Sequence, residues 1–115
     1  MSDAYEIDYV EFPSIDNVTS RQFFRDAFGW TFVSFSPSYD EIRGAGRLAG
    51  VESGEAVKSA APLAVIRTTD FEAAKRAVIA AGGVITLPLF EYPGGRCFRF
   101  REPGGCELGV WTRDE

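Results

Sequence analysis

The chain contains no histidine, two cysteines and one methionine. Without histidine there is no imidazole base for a serine or cysteine nucleophile. The two-histidine, one-carboxylate triad of a non-haem iron oxygenase is excluded as well. Cys97 and Cys106 flank the turn Glu102–Gly105 unevenly. A hairpin centred on that turn sets Cys97 opposite Val110, so the two cysteines read as free thiols in a reducing compartment. No apolar run approaches the roughly 18 residues of a membrane-spanning helix. The start, MSDAYEIDY, is acidic and lacks the basic and apolar regions of a secretory signal, so the expected location is cytoplasmic. Cations are outnumbered, 12 to 17, for a net charge of −5. That argues against nucleic acid as a partner and favours cationic over anionic ligands.

What is present is ordinary in amount and unusual in order. The 115 residues are 45% hydrophobic and 25% charged, the profile of one globular domain, and ten are phenylalanine. The stretch YVEFPSIDNVTSRQFFRDAFGWTF (9–32) is echoed by LAVIRTTDFEAAKRAVIAAGGVIT (63–86). At an offset of 54 residues Asp16 falls on Asp70, Phe24 on Val78, Ala27 on Ala81 and Gly29 on Gly83. A repeat of this length is a supersecondary unit used twice.

Each copy predicts a strand, a helix opened by an aspartate cap and closed by glycine, and three further strands. In the first copy these are a strand over 5–12, a helix over 17–28, and strands over 31–36, 39–43 and 48–52. Ser20, Phe24, Ala27 and Phe28 form the expected buried stripe of that helix, with Phe23 also in the core. Small polar residues 53–61 link the copies. The second copy has a strand over 63–68, a helix over 71–81 with the stripe Phe71, Ala74, Val78 and Ala81, and strands over 84–92, 97–101 and 107–112. Pro88 inside the first of these marks an edge or a bulge. The expected fold is α+β, a single domain over 1–115 built from two tandem βαβββ modules (about 5–53 and 62–112). Its sheet curves around a cleft, with the helices outside.

The segments YVEFPSID with FFRDAFGW, and VIRTTDFEAAKRAVIAAGG with FREPGGCELGVW, resemble the vicinal oxygen chelate superfamily of glyoxalases, bleomycin resistance proteins and extradiol dioxygenases. The ending is similar to that family's F-x-D-P-x-G-N-x-x-x-L-W, with Glu102 in place of Asp and Cys106 in place of Asn. The resemblance spans nearly the whole chain and implies paired βαβββ modules enclosing a cleft, often in a homodimer. In metal-dependent members, His, Gln or Glu side chains hold a divalent ion. The matching positions here are Tyr9, Leu63 and Gly109, with a fourth on the strand around Gly50 to Glu52. Leucine and glycine donate nothing, a neutral phenol is a poor ligand, and of this set only Glu52 could serve. No metal and no other cofactor is therefore expected.

Strand alternation sends Ile7, Tyr9 and Glu11 to one face, and by the same offset Leu63, Val65 and Arg67, with Glu107, Gly109 and Trp111 on the last strand. Tyr9, Glu11, Leu63, Arg67, Glu107 and Trp111 are thus candidates for a mostly apolar small-molecule pocket. Glu11 and Arg67 read equally as a solvated ion pair at its mouth. Trp30 reads as a core or subunit-interface anchor, or as a stacking wall for a ligand. Phe98 and Phe100 share a face that the sequence does not assign to cleft or core. Arg96, Arg99 and Arg101 read as solvated partners of nearby acids. The glycine turn at 102–105 opens no helix and is no phosphate loop. The reading these features favour is metal-independent binding of a small apolar, aromatic or cationic molecule between the modules, in a protein expected to form a homodimer and to have no membrane partner. The competing reading is a lyase, isomerase or dioxygenase of the superfamily with an unorthodox metal site.

Overall fold

A computed structural model describes residues 5–46, 48–54 and 61–114. The element order is β1 (Tyr5–Pro13), α1 (Asn17–Phe28), β2 (Thr31–Ser36), β3 (Tyr39–Arg43), β4 (Leu48–Glu52), β5 (Leu63–Thr68), α2 (Phe71–Ala80), β6 (Val84–Tyr92), β7 (Gly95–Arg101) and β8 (Glu107–Arg113). This is the expected α+β pattern of two βαβββ modules. The interior of the expected linker, residues 55–60, lies outside the described residues. The chain divides into two compact units, Tyr9–Leu63 and Ala64–Glu115 with Met1–Asp8. The first four described residues of β1 thus group with the second module.

Both helices start as the sequence dictates. Asp16 is extended, and its carboxylate accepts from the Val18 amide at 3.1 Å and the Thr19 hydroxyl at 2.8 Å. Asp70 is also extended and accepts from the Ala73 amide at 3.0 Å. Such a cap is worth about 1 kcal/mol. Gly29 ends α1 in the left-handed region at φ 75°, where a side chain would be strained. The second helix stops one residue early, at Ala80, and Gly82 takes the left-handed turn at φ 100°.

In the first module the strand order is β2-β3-β4-β1. Tyr9–Pro13 of β1 runs parallel to β4, while β4 with β3 and β3 with β2 are antiparallel. Ile42, Ala49 and Val51 are buried under α1, with Phe12, Phe24, Trp30 and Phe32 packed against them. Trp30 stacks on Phe24 with ring centroids 5.2 Å apart. It is half-buried and packs with Phe24 against the helix-side core. The expected stripe of α1 also needs correction. Asn17 is buried and Phe24 half-buried, but Phe23 and Phe28 are each 60% exposed and Ala27 is exposed. The helix turns its 17–20–21–24 face to the sheet, so Phe28 falls beyond it and lies against Trp30 instead.

The second module repeats the order as β5-β8-β7-β6. Its core is Phe71, Ala74, Phe98, Phe100 and Val110. Phe98 and Phe100 therefore face α2. Cys97 pairs with Trp111 and Phe98 with Val110, one residue away from the expected register, because the loop closes with Glu102 N–H to the Cys106 carbonyl. Both cysteines are free. The arginines at 96, 99 and 101 do not form one stripe: Arg96 shares the helix side with Phe98 and sits 4.7 Å from the Phe71 ring centre, while alternation turns Arg99 and Arg101 to the other face. Ala81, expected in the helix stripe, is exposed. Around Pro88 the β6–β7 register shifts twice, and Lys75 Nζ donates to the Pro88 carbonyl at 2.6 Å. Among the described residues no helix is long and apolar enough to cross a membrane.

Candidate functional site

Alternation and register assemble one distinctive surface on the helix-free face of the first module. Along β4, Ala49 and Val51 point to the core, so Leu48, Gly50 and Glu52 point away. Gly50 pairs with Glu11 on one side and Glu41 on the other, and Tyr39 pairs with Glu52. A bare glycine in the middle of a sheet is a gap. Two phenols fill it: a Cβ on Gly50 would collide with the hydroxyl oxygens of both Tyr9 and Tyr39. Those hydroxyls are hydrogen-bonded to one another.

The electrostatics of the pair follow from burial. Both side chains are half-buried, and removing a phenol from water disfavours its anion. Burial first, then the negative fields of Glu11, Glu41 and Glu52, push the Tyr9 hydroxyl up to about 12, partly offset by the bond to Tyr39. Tyr39 is raised further, by burial first, then by the field of Glu11, with a hydrogen bond to Glu11 adding to it. Both phenols are therefore protonated at neutral pH.

One phenol donates to the other. An ionised carboxylate only accepts, and the fields of Glu11, Glu41 and Glu52 all reach this pair. Glu41 is partnered by Arg43, whose Nε donates at 2.8 Å. The face of Gly50 therefore gathers two phenols and three carboxylates.

The other expected site residues lie in or beside β5 and β8. Leu63 is buried and Arg67 exposed. Arg67 pairs directly with Trp111, so these two are brought together. The Trp111 indole N–H donates to Asp8 at 2.9 Å, and Arg113 stands 6.0 Å from its ring centre. Glu107 accepts from the Thr86 hydroxyl at 2.7 Å. Of the first-module candidates, Tyr9 and Glu11 come together with a residue the sequence reading missed, Tyr39. The signal was available: Asp40 and Ile42 alternate with Tyr39 and Glu41, so burial of one pair turns the other toward Gly50.

The same residues test the divalent ion that the superfamily's metal-dependent members hold. Leu63 and Gly109 have no donor atom, and Tyr9 offers a protonated phenol already engaged with Tyr39. Among the described residues no three His, Cys, Asp or Glu gather closely enough to hold a metal. The donor set does not fit such an ion.

No family model matches the sequence, and no curated protein matches it. Solved structures do. A glyoxalase/bleomycin resistance protein/dioxygenase superfamily member from Vibrio splendidus is similar over 90% of this chain and 96% of its own, with 18% identity and a TM-score of 0.68. Methylmalonyl-CoA epimerase from Mycobacterium tuberculosis aligns over 94% of this chain and 87% of its own, at 14% identity and a TM-score of 0.69. The Mn(II)-bound glyoxalase from Novosphingobium aromaticivorans aligns over 97% of this chain and 40% of its own, at 20% identity and a TM-score of 0.69.

Proposed function

We propose that this chain, which has the fold of the glyoxalase/bleomycin resistance/dioxygenase superfamily, binds a small organic cation on the face of Gly50. The observation that carries the reading is the gathering of the hydrogen-bonded Tyr9–Tyr39 pair with Glu11, Glu41 and Glu52 around Gly50. A ligand suited to it brings N–H donors and positive charge: an ammonium, amidine or guanidinium on an apolar or aromatic body. The charge-assisted bond to Glu11 would contribute about 1.5–3 kcal/mol. Contact of the cation with a phenol ring would add about 0.5–2 kcal/mol. Exposed Leu48 beside Tyr9 offers apolar surface for the body.

A metal-dependent lyase, isomerase or dioxygenase reading has less support, because the donors it needs are replaced by Leu63 and Gly109. Calorimetric titration with benzylamine and with benzoate separates the readings. Saturable binding of the amine, weakened at least tenfold by Glu11→Gln, with no binding of benzoate, supports the cation site. Equal binding of both, or an amine affinity indifferent to Glu11→Gln, contradicts it.

For self-association, the edge best suited is β2 and not β6. β6 carries Pro88 and is interrupted by two register shifts, β2 by one. β2, TFVSFS, has no charge and no proline, and Val33 and Phe35 are exposed on it. Such an edge is a template for a second copy. Sedimentation should show a dimer that Val33→Lys dissociates; an unchanged mass would reject this edge.

A further inference from the structure

The second module carries an open apolar groove where the first has a stacked pair of rings. The strand registers align the modules residue by residue. Phe12 pairs with Val51 as Ile66 pairs with Val110, and Thr31 pairs with Arg43 as Val84 pairs with Arg101. On the helices, Phe24 corresponds to Val78, and the residue before β2, Trp30, corresponds to Gly83, the residue before β6. In the first module Phe24 and Trp30 stack at 5.2 Å under α1 and cover Ile42 and Val51. In the second, Val78 packs onto Gly83, so that a Cβ there would collide with its Cγ1, and these smaller residues leave an open groove beside them.

The groove has a volume of about 280 Å³ and is lined by Ile66, Ala74, Val78, Gly83, Phe100 and Val110, with Tyr5 and Glu102 among its remaining residues. Nearly all of that lining is apolar. For scale, an engineered apolar cavity of ~150 Å³ takes benzene. Glu102 is not available to reach inward, because its two carboxylate oxygens accept from the Gly104 and Cys106 amides at 2.6 and 2.9 Å.

We infer that this groove is a binding site for a flat, uncharged aromatic molecule of one or two rings, which takes the place that Phe24 and Trp30 fill in the first module. The site is separate from the Gly50 face and stands independently of the cation reading. Its lining offers a ring dispersion contacts and no partner for a charge. A carboxylate on the ring would be left unpaired there, with ionised Glu102 among the surrounding groups. The helix side of the second module is thereby completed by a ligand instead of a side chain.

The test is a titration of full-length protein with indole, followed through the methyl resonances of Ala74, Val78 and Val110. The expected result is a saturable shift of these methyls and a melting temperature that rises with indole concentration. Val78→Phe, which supplies the missing ring, should weaken indole at least tenfold, while Tyr39→Phe should leave its affinity within twofold. Should Val78→Phe fail to fold, Ala77→Leu at the same wall serves as the second variant with the same expected direction. Absence of a saturable shift, or indole affinity unchanged in the folded filling variant, would overturn the site. Loss of indole binding in Tyr39→Phe would place the ligand on the Gly50 face and overturn it too.

Discussion

In the first module the spot between helix and sheet is filled by Asn17, Asp40 and Arg21; at the equivalent positions the second carries Phe71, Phe98 and Lys75. The correspondence is set by register. Asp40 pairs with buried Val51 as Phe98 pairs with buried Val110, and Asp40 and Phe98 are both wholly buried. The contacts correspond too. Asn17 donates to Asp40 at 2.8 Å where Phe71 meets Phe98 edge-on at 5.3 Å. Arg21 pairs with Asp40 at 3.0 Å where Lys75 stands 5.5 Å from the Phe98 ring centre. The fold requires two facing side chains and a cation from the helix; it does not require that they be polar or aromatic. The polar version carries a cost the aromatic one lacks. The Asn17 Oδ1 is buried with no hydrogen-bond partner among the described residues, a loss of about 1–3 kcal/mol.

The faces away from the helices diverge more. Around Gly50 stand Tyr9, Glu11, Tyr39, Glu41 and Glu52; by the same register Gly109 is surrounded by Leu63, Val65, Cys97, Arg99 and Trp111. The glycine is kept and the chemistry around it changes from acidic to apolar with a single arginine. Apart from Leu63 and Val65, which are buried, these side chains do not fill the cores, so substitution at them costs the scaffold less. This is why a site can differ between two copies of one unit.

Five changes would break or sharpen the comparison. The largest effect should come from Asp40→Ala. It strands the Arg21 charge and the Asn17 amide, and urea denaturation should show a loss of about 3–5 kcal/mol. Replacing Asn17 and Asp40 together by phenylalanine imports the second module's solution and should lose less than Asp40→Ala. A greater loss would mean that the two packings are not interchangeable. Next, Phe98→Ala should cost about 3–5 kcal/mol through the cavity it opens, close to Asp40→Ala; a cost under ~1 kcal/mol would deny it the equivalent role. Gly50→Ala should follow at about 1–3 kcal/mol, because its methyl displaces both phenols, and it should also weaken benzylamine. Unaltered amine binding would detach the phenol pair from the site. Smallest, Lys75→Met should lose about 0.5–1 kcal/mol with its cation–ring contacts, checked by the same denaturation.

The parts of this molecule legible in sequence are those governed by local chemistry. Asp16, Asp70, Gly29 and the alternation of β1 announced the modules and put Tyr9 and Glu11 on one face. What stayed hidden depends on partners distant in sequence. Tyr39 joins Tyr9 only because β3 and β1 both flank β4. Asn17 and Arg21 read as ordinary helix residues until Asp40 meets them. Phe23 and Phe28 look like core by composition, yet the buried arc of α1 is set by Asn17 and Arg21 and leaves both outside. The register error at Cys97 arose from the loop, whose length the glycine turn alone did not fix.

The linked phenols make the account testable without knowing a ligand. Their raised proton affinity stabilises the folded state at pH values below 10, the ordinary phenol value; that contribution is lost as pH rises through about 12, where Tyr9 ionises. The most direct measurement is a spectrophotometric tyrosine titration of the folded protein, with Tyr39→Phe beside it. Of the four tyrosines, two should remain un-ionised beyond pH 11 and ionise only near 12 or as the protein unfolds, with one such group lost in Tyr39→Phe. Four tyrosines ionising together near pH 10 would contradict the hydrogen-bonded phenol pair and with it the cation site.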